Sequence, residues 1–427
     1  MRIVLWMAVL LFGPTVLPAG ELMLGSHPAR YAPDGSLLPW TSWTDALGHE
    51  MAWYQRCPAE HGYPRFVTMT FMDGDYQAIA SRKDFIPAMQ NGMGILSYLK
   101  YHRFTGLTHP EYLRTARLMG DYLIHEACTP AVGKYPGFPR STGQRDKFPQ
   151  PPDCGSQDDK PYEIQPDKGG LVGFALFKLY DETRDESYLQ VARSIARVLA
   201  TNQHPGDATH SPWPFRADFR TGAARGAVSG NMSYILRLYD AFLARGEKEF
   251  AAPRAALWQW ITQYQLPSAA GDGRLWVEFF EDHHNQNNRT AWAPLALAAY
   301  LTEERGQLSP TWQAEAKTLI EFVNRNFVRV RFGVAVCGEQ DEDPDPWGGI
   351  NSTYGAVLAS YSAATGSPEY RRIAEQALTF SLYGIDEDGC PRDLLLNRAR
   401  GGWQEDAHTD KVHNFVDALT AFPEWGR

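Results

Sequence analysis

One kind of apolar segment recurs along the chain at nearly constant spacing. These segments begin near Gly170, Asn231, Ala291, Asn351 and Val412. Successive starts are about 60 residues apart, which is the signature of a repeat architecture. An earlier segment begins near Asp84, and the extra length that follows it is rich in Pro and Gly, as in an inserted loop. Because each segment is apolar on nearly all sides, it predicts a helix that is buried all round.

A second kind of helix is predicted between these segments. In the stretch from Trp312 to Val323, apolar residues recur at helical spacing and charged residues occupy the opposite face. Ser309-Pro310 and Ser367-Pro368 are typical helix starts, since proline at the first helical position gives up no hydrogen bond. Each helix of this kind therefore has one buried face and one face in water.

The alternation of the two kinds of helix predicts an all-α fold, an (α/α)6 toroid in which outer helices surround a ring of inner helices. The last inner helix, near Val412, is followed by too little chain for an outer partner, and residues 41–55 are predicted to supply one. This pattern resembles the six-hairpin glycosidase-like toroids, a superfamily of glycoside hydrolases, polysaccharide lyases and some epimerases. The resemblance covers nearly all of the chain after residue 20 and implies a carbohydrate-active enzyme, without indicating a family.

The first 20 residues have the composition of a secretory signal peptide. One positive charge precedes an apolar run from Ile3 to Phe12, and small residues follow near Ala19. The run is too short to span a membrane. We therefore expect a signal peptide at 1–20, a single toroid domain at 21–427, and a secreted or periplasmic protein. In such a compartment the five cysteines could form up to two disulfides or remain small buried thiols, and their spacing leaves both open.

Charge and motifs restrict the partners. The formal net charge is −9 and no cluster of basic residues occurs, which argues against nucleic acid and against an anionic membrane surface. The sequence has no phosphate-binding glycine motif, and its cysteines and histidines lack the close spacing of a zinc site. We expect a carbohydrate substrate, no metal and no cofactor; the oligomeric state is left open.

Polar and aromatic residues are concentrated in the segments that enter the inner helices. Because the inner helices of a toroid run parallel, these segments gather at one end of the ring, which we call the mouth. Aromatic rings beside acids and amides suit sugars, whose C–H faces stack on rings while their hydroxyls form hydrogen bonds. The predicted substrate-binding residues are Asp73, Asp75, Glu163, Asn287, Asn288, Arg289, Trp347, Asn351, Tyr354 and Trp403.

Hydrolysis of a glycosidic bond needs two carboxyl groups, one protonated and one ionised. Glu281 and Asp282 before the fourth inner helix, and Asp341 and Asp343 before the fifth, are the predicted pair-forming acids. Acids held in reserve are Asp73, Asp75, Glu163 and Glu405.

Two other functions compete with hydrolysis. In β-elimination from a uronic acid, His284 would act with Asn287 and Arg289, and Tyr354 could protonate the leaving oxygen. Arg220, Arg225 and Arg289 would then have to attract the polyanion. The other alternative is a toroid that binds glycans without catalysis, and for each of these loops a purely structural role also remains open.

Overall fold

The computed structural model describes residues 22–56, 59–60, 63–64, 69–72, 78–82, 87–141, 163–277, 287–305, 309–393, 403–405 and 410–426. Its helices are α1 (Trp43–Arg56), α2 (Pro87–Phe104), α3 (Pro110–His125), α4 (Pro166–Thr183), α5 (Glu186–Thr201), α6 (Ser233–Ala244), α7 (Ala251–Trp260), α8 (Leu266–Ala270), α9 (Trp292–Glu304), α10 (Trp312–Asn326), α11 (Gly348–Thr365), α12 (Pro368–Leu382) and α13 (Asp410–Ala421).

The helices form two concentric layers. The inner ring consists of α2, α4, α6, α9, α11 and α13, in which each helix contacts the next and α13 contacts α2. Around it, α3, α5, α10 and α12 each pack against the inner helix that precedes them. The outer partner of α6 is α7, which continues through the π-helical residues Ile261–Gln265 into α8. The predicted (α/α)6 toroid is confirmed.

The N-terminal helix α1 completes the outer layer, as the sequence predicts. It packs against α13, the inner helix that lacks a following partner. The ring of Trp43 meets that of Phe415 edge to face at a centroid distance of 5.3 Å. Trp43 and Phe415 are both buried, so this contact joins the start of the chain to its end in one core.

Glycines let neighbouring helices approach closely. A Cβ atom at Gly170 of α4 would lie 2.5 Å from Cγ1 of Ile235 on α6, and one at Gly355 of α11 would lie 2.5 Å from Cγ of Leu378 on α12. Such distances are too short for any side chain. The spacing of these helices in the ring therefore depends on glycine at both positions.

Short strands occupy the chain between helices. They are β1 (Met23–Leu24), β2 (His27–Pro28), β3 (Arg30–Tyr31), β4 (Leu37–Leu38), β5 (Ala59–Glu60), β6 (Tyr63–Pro64), β7 (Met69–Met72), β8 (Ala78–Arg82), β9 (Glu163–Ile164), β10 (Arg216–Asp218), β11 (Ala224–Arg225), β12 (Val328–Arg331), β13 (Val334–Cys337) and β14 (Trp403–Glu405). Antiparallel pairs β1–β2, β3–β4, β5–β6 and β12–β13 form separate hairpins. A small second core of Leu24, Leu37, Val334, Val336, Phe380 and Tyr383 seats the N-terminal hairpins on α12 and β13.

Strand pairing joins neighbouring segments at the mouth. The sheet β14–β7–β8 connects the segments before α13 and α2, and the sheet β11–β10–β9 connects those before α4 and α6. An isolated bridge between Thr290 and Gln340 connects those before α9 and α11. The mouth segments thus hold one another in place through backbone hydrogen bonds.

Two predicted helix starts and the cysteines can be compared with the structure. Helix α12 begins at Pro368, directly after Ser367 as expected. Helix α10 begins at Trp312, later than Ser309-Pro310 suggested, because the hydroxyls of Ser309 and Thr311 both donate to Glu315 Oε1, at 3.0 and 2.9 Å. Cys128 and Cys337 are free thiols, Cys390 is buried, and Cys57 and Cys154 lie outside the described residues.

The burial of the inner helices predicts that replacing a buried leucine lowers the free energy of unfolding much more than replacing an exposed one. Leu176 of α4 is fully buried, whereas Leu107 is 57% exposed. We expect Leu176→Ala to lower the free energy of unfolding by roughly 2–5 kcal/mol, because the cavity left behind cannot be refilled. Leu107→Ala is the matched control and should change it by less than about 0.5 kcal/mol. Urea unfolding followed by circular dichroism measures both, and equal losses would contradict the assignment of α4 to the inner ring.

Candidate active site

A cavity of about 910 Å³ follows the axis of the ring, and we call it the ring cavity. All six inner helices line it. On α2 the lining residues run from Met89 to Phe104, which corresponds to about 22 Å of helix. The middle of the cavity is walled by apolar side chains such as Leu171, Leu295 and Val357. Both ends of the cavity are lined by polar side chains, and these are the groups that could take part in a reaction.

The mouth end of the ring cavity is formed by the first turns of the inner helices. The polar and aromatic residues that line it there are Asp167, Lys168, Asn231, Ser233, Trp292, Thr353, Asp410 and Asn414. Asp167 and Asp410 are each 3% exposed. Two buried carboxyl groups therefore line one cavity, and their burial makes electrostatic interactions stronger than in bulk water.

The two acids have different surroundings. Asp167 Oδ2 accepts a hydrogen bond of 2.9 Å from Nζ of Lys168, which is equally buried. Asp410 is also followed by a lysine, but Lys411 donates instead to the carbonyl oxygen of Arg392, at 2.6 Å. Helices α4 and α13 both contact α2, so the two acids stand on either side of that helix. Only Asp167 has the following lysine as its own partner.

Trp292 is an aromatic residue at the mouth end of the ring cavity. Its indole Nε1 donates to Glu339 Oε1 at 2.9 Å. Glu339 belongs to the segment before α11, and its carbonyl oxygen accepts a 3.0 Å hydrogen bond from the amide of Ala291. The indole is thus held from its edge while part of the side chain lines the ring cavity. A fixed aromatic surface of this kind can stack against the apolar face of a sugar ring.

Tyr234 of α6 reaches across the cavity. Its hydroxyl donates to Sδ of Met93 on α2, at 3.2 Å, and its ring lies 6.2 Å from that of Phe174 on α4. Burial raises the pKa of Tyr234, and the charge of Asp410 adds to this effect while that of Arg237 opposes it. A neutral phenol therefore stands between the mouth end of the cavity and its deeper part.

The deeper end of the ring cavity holds charged side chains that pair with each other. Lys100 Nζ donates to His413 Nε2 and to Asp417 Oδ1, both at 2.6 Å. Burial lowers the pKa of His413, and the neighbouring Lys100 lowers it further, so this imidazole is neutral. Arg237 forms an ion pair with Glu303 on the next inner helix. These pairs connect α2 with α13 and α6 with α9.

Several residues predicted for the site join two mouth segments to each other. Arg289 Nε donates to Asp341 Oδ2 at 2.7 Å, and the backbone amide of Asp341 donates to the carbonyl oxygen of Arg289 at 3.0 Å. Asn288 is buried; its amide nitrogen donates to Gln340, and its oxygen accepts a 3.1 Å hydrogen bond from the amide of Glu342. Asn288 and Arg289 therefore bind the segment before α11, because complementary groups lie opposite one another there.

The arginines that were expected to attract a polyanion are each bound to a carboxylate. Arg225 forms a two-point ion pair with Glu163, whose Oε1 lies 2.8 Å from Arg225 Nε. Arg220 Nη2 lies 3.0 Å from Asp218 Oδ2. Together with the pair between Arg289 and Asp341, these contacts neutralise the three guanidinium groups. The predicted ligand Glu163 is buried and used in the same way.

Asn351 and Tyr354 have packing roles instead of the predicted substrate contacts. Asn351 is fully buried; its oxygen accepts from the amide of Cys337 at 2.8 Å, and its nitrogen donates to the carbonyl oxygen of Cys337 at 2.9 Å. The Tyr354 hydroxyl donates to Asn324 Oδ1 of α10 at 2.6 Å. Both side chains point from α11 towards the outer layer, because that face of the helix must be covered.

Other predicted residues lie beside the site or outside the described part of the chain. Trp347 is half-buried and packs against the core where α11 begins. Asp343 accepts a 3.2 Å hydrogen bond from the amide of Asp345, and Asn287 is exposed. Outside the described residues lie Asp73, Asp75, Glu281, Asp282 and His284. For Trp403 and Glu405 the structure describes the strand β14 but not the side chains.

The residues that the sequence interpretation missed share one feature. Asp167-Lys168 and Asp410-Lys411 are the same dipeptide at the starts of two inner helices. A polar residue in the first turn of an otherwise apolar helix still faces the mouth, and the repetition of Asp-Lys in two repeats was a signal for it. The sequence prediction placed the acids of the site at other positions of these segments.

Comparisons with known proteins agree with this architecture. No family model and no curated protein matches the sequence. A family 76 glycoside hydrolase from a bovine Bacteroides thetaiotaomicron strain superposes with a TM-score of 0.59 at 14% identity, over 90% of this chain and 78% of that one. A D-mannose isomerase superposes with a TM-score of 0.62 at 15% identity, over 87% of this chain and 96% of that one.

A polysaccharide lyase has the same fold as well. It superposes with a TM-score of 0.52 at 15% identity, over 88% of this chain and 52% of that one. At these identities the likeness shows the fold alone: the chain is an (α/α)6 toroid. It does not select one activity.

The described residues show neither the features of a membrane span nor those of a metal site. None of the described helices combines the length and apolarity that a membrane span requires. In the described part of the chain, no three His, Cys, Asp or Glu side chains are grouped as metal ligands.

The pair between Arg289 and Asp341 can be tested by a double-mutant cycle. Both side chains are about one-third exposed, so we expect Arg289→Gln and Asp341→Asn each to cost less than about 1 kcal/mol, with a coupling energy of similar size. Thermal unfolding of the two single variants and the double variant measures it. A coupling energy of zero would mean that these charges do not hold the two segments together.

Proposed function

We propose that the protein is a carbohydrate-active enzyme that hydrolyses a glycosidic bond at the mouth end of the ring cavity. The observation that carries this proposal is the presence of two buried carboxyl groups, Asp167 and Asp410, in one cavity together with the indole of Trp292. This is the set of groups that hydrolysis of a glycoside needs. Glycoside hydrolases with the same fold support the proposal.

The surroundings of the two acids suggest their roles. One carboxyl group must donate a proton to the leaving oxygen, and the other must act as an ionised base or nucleophile. Because Lys168 balances the charge of Asp167, we assign Asp167 the ionised role. Asp410 is then the proton donor. Trp292 would stack against the sugar, while the side chains of Asn231, Ser233 and Thr353 offer hydrogen bonds to its hydroxyl groups.

β-Elimination is the second candidate, and Tyr234 is the observation that favours it. Its neutral phenol lies in the ring cavity and could protonate a leaving oxygen. The pairing of Arg220, Arg225 and Arg289 with carboxylates weighs against it, because these guanidinium groups are already engaged. We therefore rank hydrolysis first. Export remains part of the proposal, and the N-terminal sequence of the protein made in its host would test it.

Replacement of the acids tests the hydrolytic mechanism. On a glycan that the wild-type protein cleaves, we expect Asp167→Asn and Asp410→Asn each to lower kcat by about 10² or more, because one of the two required carboxyl groups is lost. Asp272→Asn is the matched control, since Asp272 is exposed and pairs with Arg274 on the surface. New reducing ends, measured over a panel of neutral and uronate glycans, report the activity.

Three outcomes of this experiment separate the alternatives. A product with new ultraviolet absorbance, together with loss of activity in Tyr234→Phe, would replace hydrolysis by elimination. Full activity of both Asn variants would remove Asp167 and Asp410 from the mechanism. Binding of a glycan without any product, in the wild-type protein, would identify a non-catalytic toroid.

The proposed stacking of a sugar on Trp292 gives a separate prediction. Trp292→Ala should raise KM roughly 2- to 10-fold, because the stacking of a sugar on the indole is lost. Glu339→Gln, which keeps an oxygen that can accept the Trp292 N–H, should change KM less. Initial rates over a range of substrate concentrations measure both. An unchanged KM for Trp292→Ala would show that this ring does not contact the substrate.

A further inference from the structure

Glu50 is a fully buried glutamate that the proposed reaction does not use. It lies on α1 and is 0% exposed. Among the described residues, neither of its carboxylate oxygens has a hydrogen-bond partner. A buried carboxyl group without hydrogen-bond partners is costly, so its presence inside the fold calls for a reason.

Charged and titratable groups from three elements interact electrostatically with Glu50. Lys411 lies on α13, Asp393 in the chain between α12 and α13, and Tyr101 on α2. Burial raises the pKa of Glu50 to about 7; Lys411 opposes this shift and Asp393 adds to it. The carboxyl group thus gains or loses its proton within the range in which an enzyme of this kind would work.

Lys411 and Asp393 together clamp the start of α11. Lys411 Nζ lies 3.6 Å from Asp393 Oδ1, and a Cβ on Gly348 would lie only 2.7 Å from Lys411 Cε. The amide of Gly348 donates to the Asp393 carbonyl oxygen at 2.8 Å, and the amide of Gly349 donates to its carboxylate. One lysine and one aspartate therefore fix the junction between α11 and α13.

This clamp touches two residues of the proposed active site. Asp410 directly precedes Lys411 in the first turn of α13. On the α11 side, a Cβ at Gly349 would lie 3.5 Å from the ring of Trp292, as well as 3.4 Å from Asp393 Oδ1. A shift of Lys411 or Asp393 would therefore displace both Asp410, the proposed proton donor, and Trp292, the ring proposed to stack against the sugar.

From this arrangement we infer that Glu50 is a positioning residue of the active site: its carboxyl group sets the charge balance around Lys411 and thereby the placement of Asp410 and Trp292. The inference rests on the proposed function. With Glu50 protonated, the positive Lys411 balances the negative Asp393. With Glu50 ionised, the buried group carries an excess negative charge that draws Lys411 away from the clamp. Turnover should therefore fall as Glu50 loses its proton.

The test follows Trp292 in the full-length protein without substrate. With 5-fluorotryptophan incorporated, the ¹⁹F NMR resonance that is missing in Trp292→Phe belongs to Trp292. We expect it to titrate with a midpoint near pH 7 in the wild-type protein and not in Glu50→Gln. Glu50→Met, an uncharged variant of similar size, should behave like Glu50→Gln and serves if the glutamine variant does not fold. Glu375→Gln on the outer helix α12 is the matched control and should retain the wild-type titration.

Stability and turnover provide two further readouts. The unfolded chain releases the Glu50 proton near pH 4.5 and the folded protein near 7, so the wild-type Tm should fall relative to that of Glu50→Gln as pH rises between these values. On a cleaved substrate, the alkaline limb of kcat should begin near pH 7 in the wild-type protein and at higher pH in Glu50→Gln.

The outcomes distinguish this inference from the proposed function. A Trp292 resonance that titrates identically in wild-type protein and Glu50→Gln, or does not titrate at all, overturns the inference whatever the substrate. Failure of the wild-type protein to cleave any glycan overturns the proposed function. The NMR titration, which needs no substrate, then decides by itself whether Glu50 is coupled to Trp292. Identical pH profiles of kcat in the two proteins also overturn the positioning role.

Discussion

The burial of six apolar helices around one axis is the constraint on which the rest of the structure depends. A helix that is apolar on nearly all sides has to be covered on all sides, and neighbours in a ring cover only part of it. The outer helices supply the remainder, and α1 does so for α13 across the two ends of the chain. Since an outer segment (α3, α5, α7–α8, α10 or α12) returns the chain from each inner helix to the next, the inner helices run parallel and their N-terminal ends collect at one mouth.

That geometry decides where polar groups can act. Segments between helices contain many acids, amides and arginines, but these largely satisfy one another, as Arg289 does with Asp341 and Arg225 with Glu163. Two further acids, Asp167 and Asp410, stand in the first turn of inner helices, where the chain has already entered the apolar ring. Both are buried and line the ring cavity, and burial strengthens the interactions of a charge with its neighbours.

Buried charge also extends behind the mouth. Lys411 and Asp393 form a buried ion pair where α11 and α13 begin, and the charges of both act on the buried Glu50 of α1. A ring of packed helices transmits small changes at such a pair, because its parts cannot shift independently. In the proposed mechanism, the helices that build the cavity would therefore connect Asp410 and Trp292 to a titratable group outside it.

The sequence by itself determined the architecture: the spacing of about 60 residues, the two kinds of helix and the gathering of polar segments at one end all follow from helical periodicity and burial. It did not determine which polar residues face the cavity. Periodicity shows that Tyr354 is buried, but only the packing of α11 against α10 turns its hydroxyl to Asn324 instead of the axis. Likewise Arg289 and Asp341 are 52 residues apart, and only the folded ring brings them together, as it brings Asp167 and Asp410 to one cavity. Side-chain direction and long-range pairing depend on how helices are rotated against their neighbours, and that rotation is a property of the whole core.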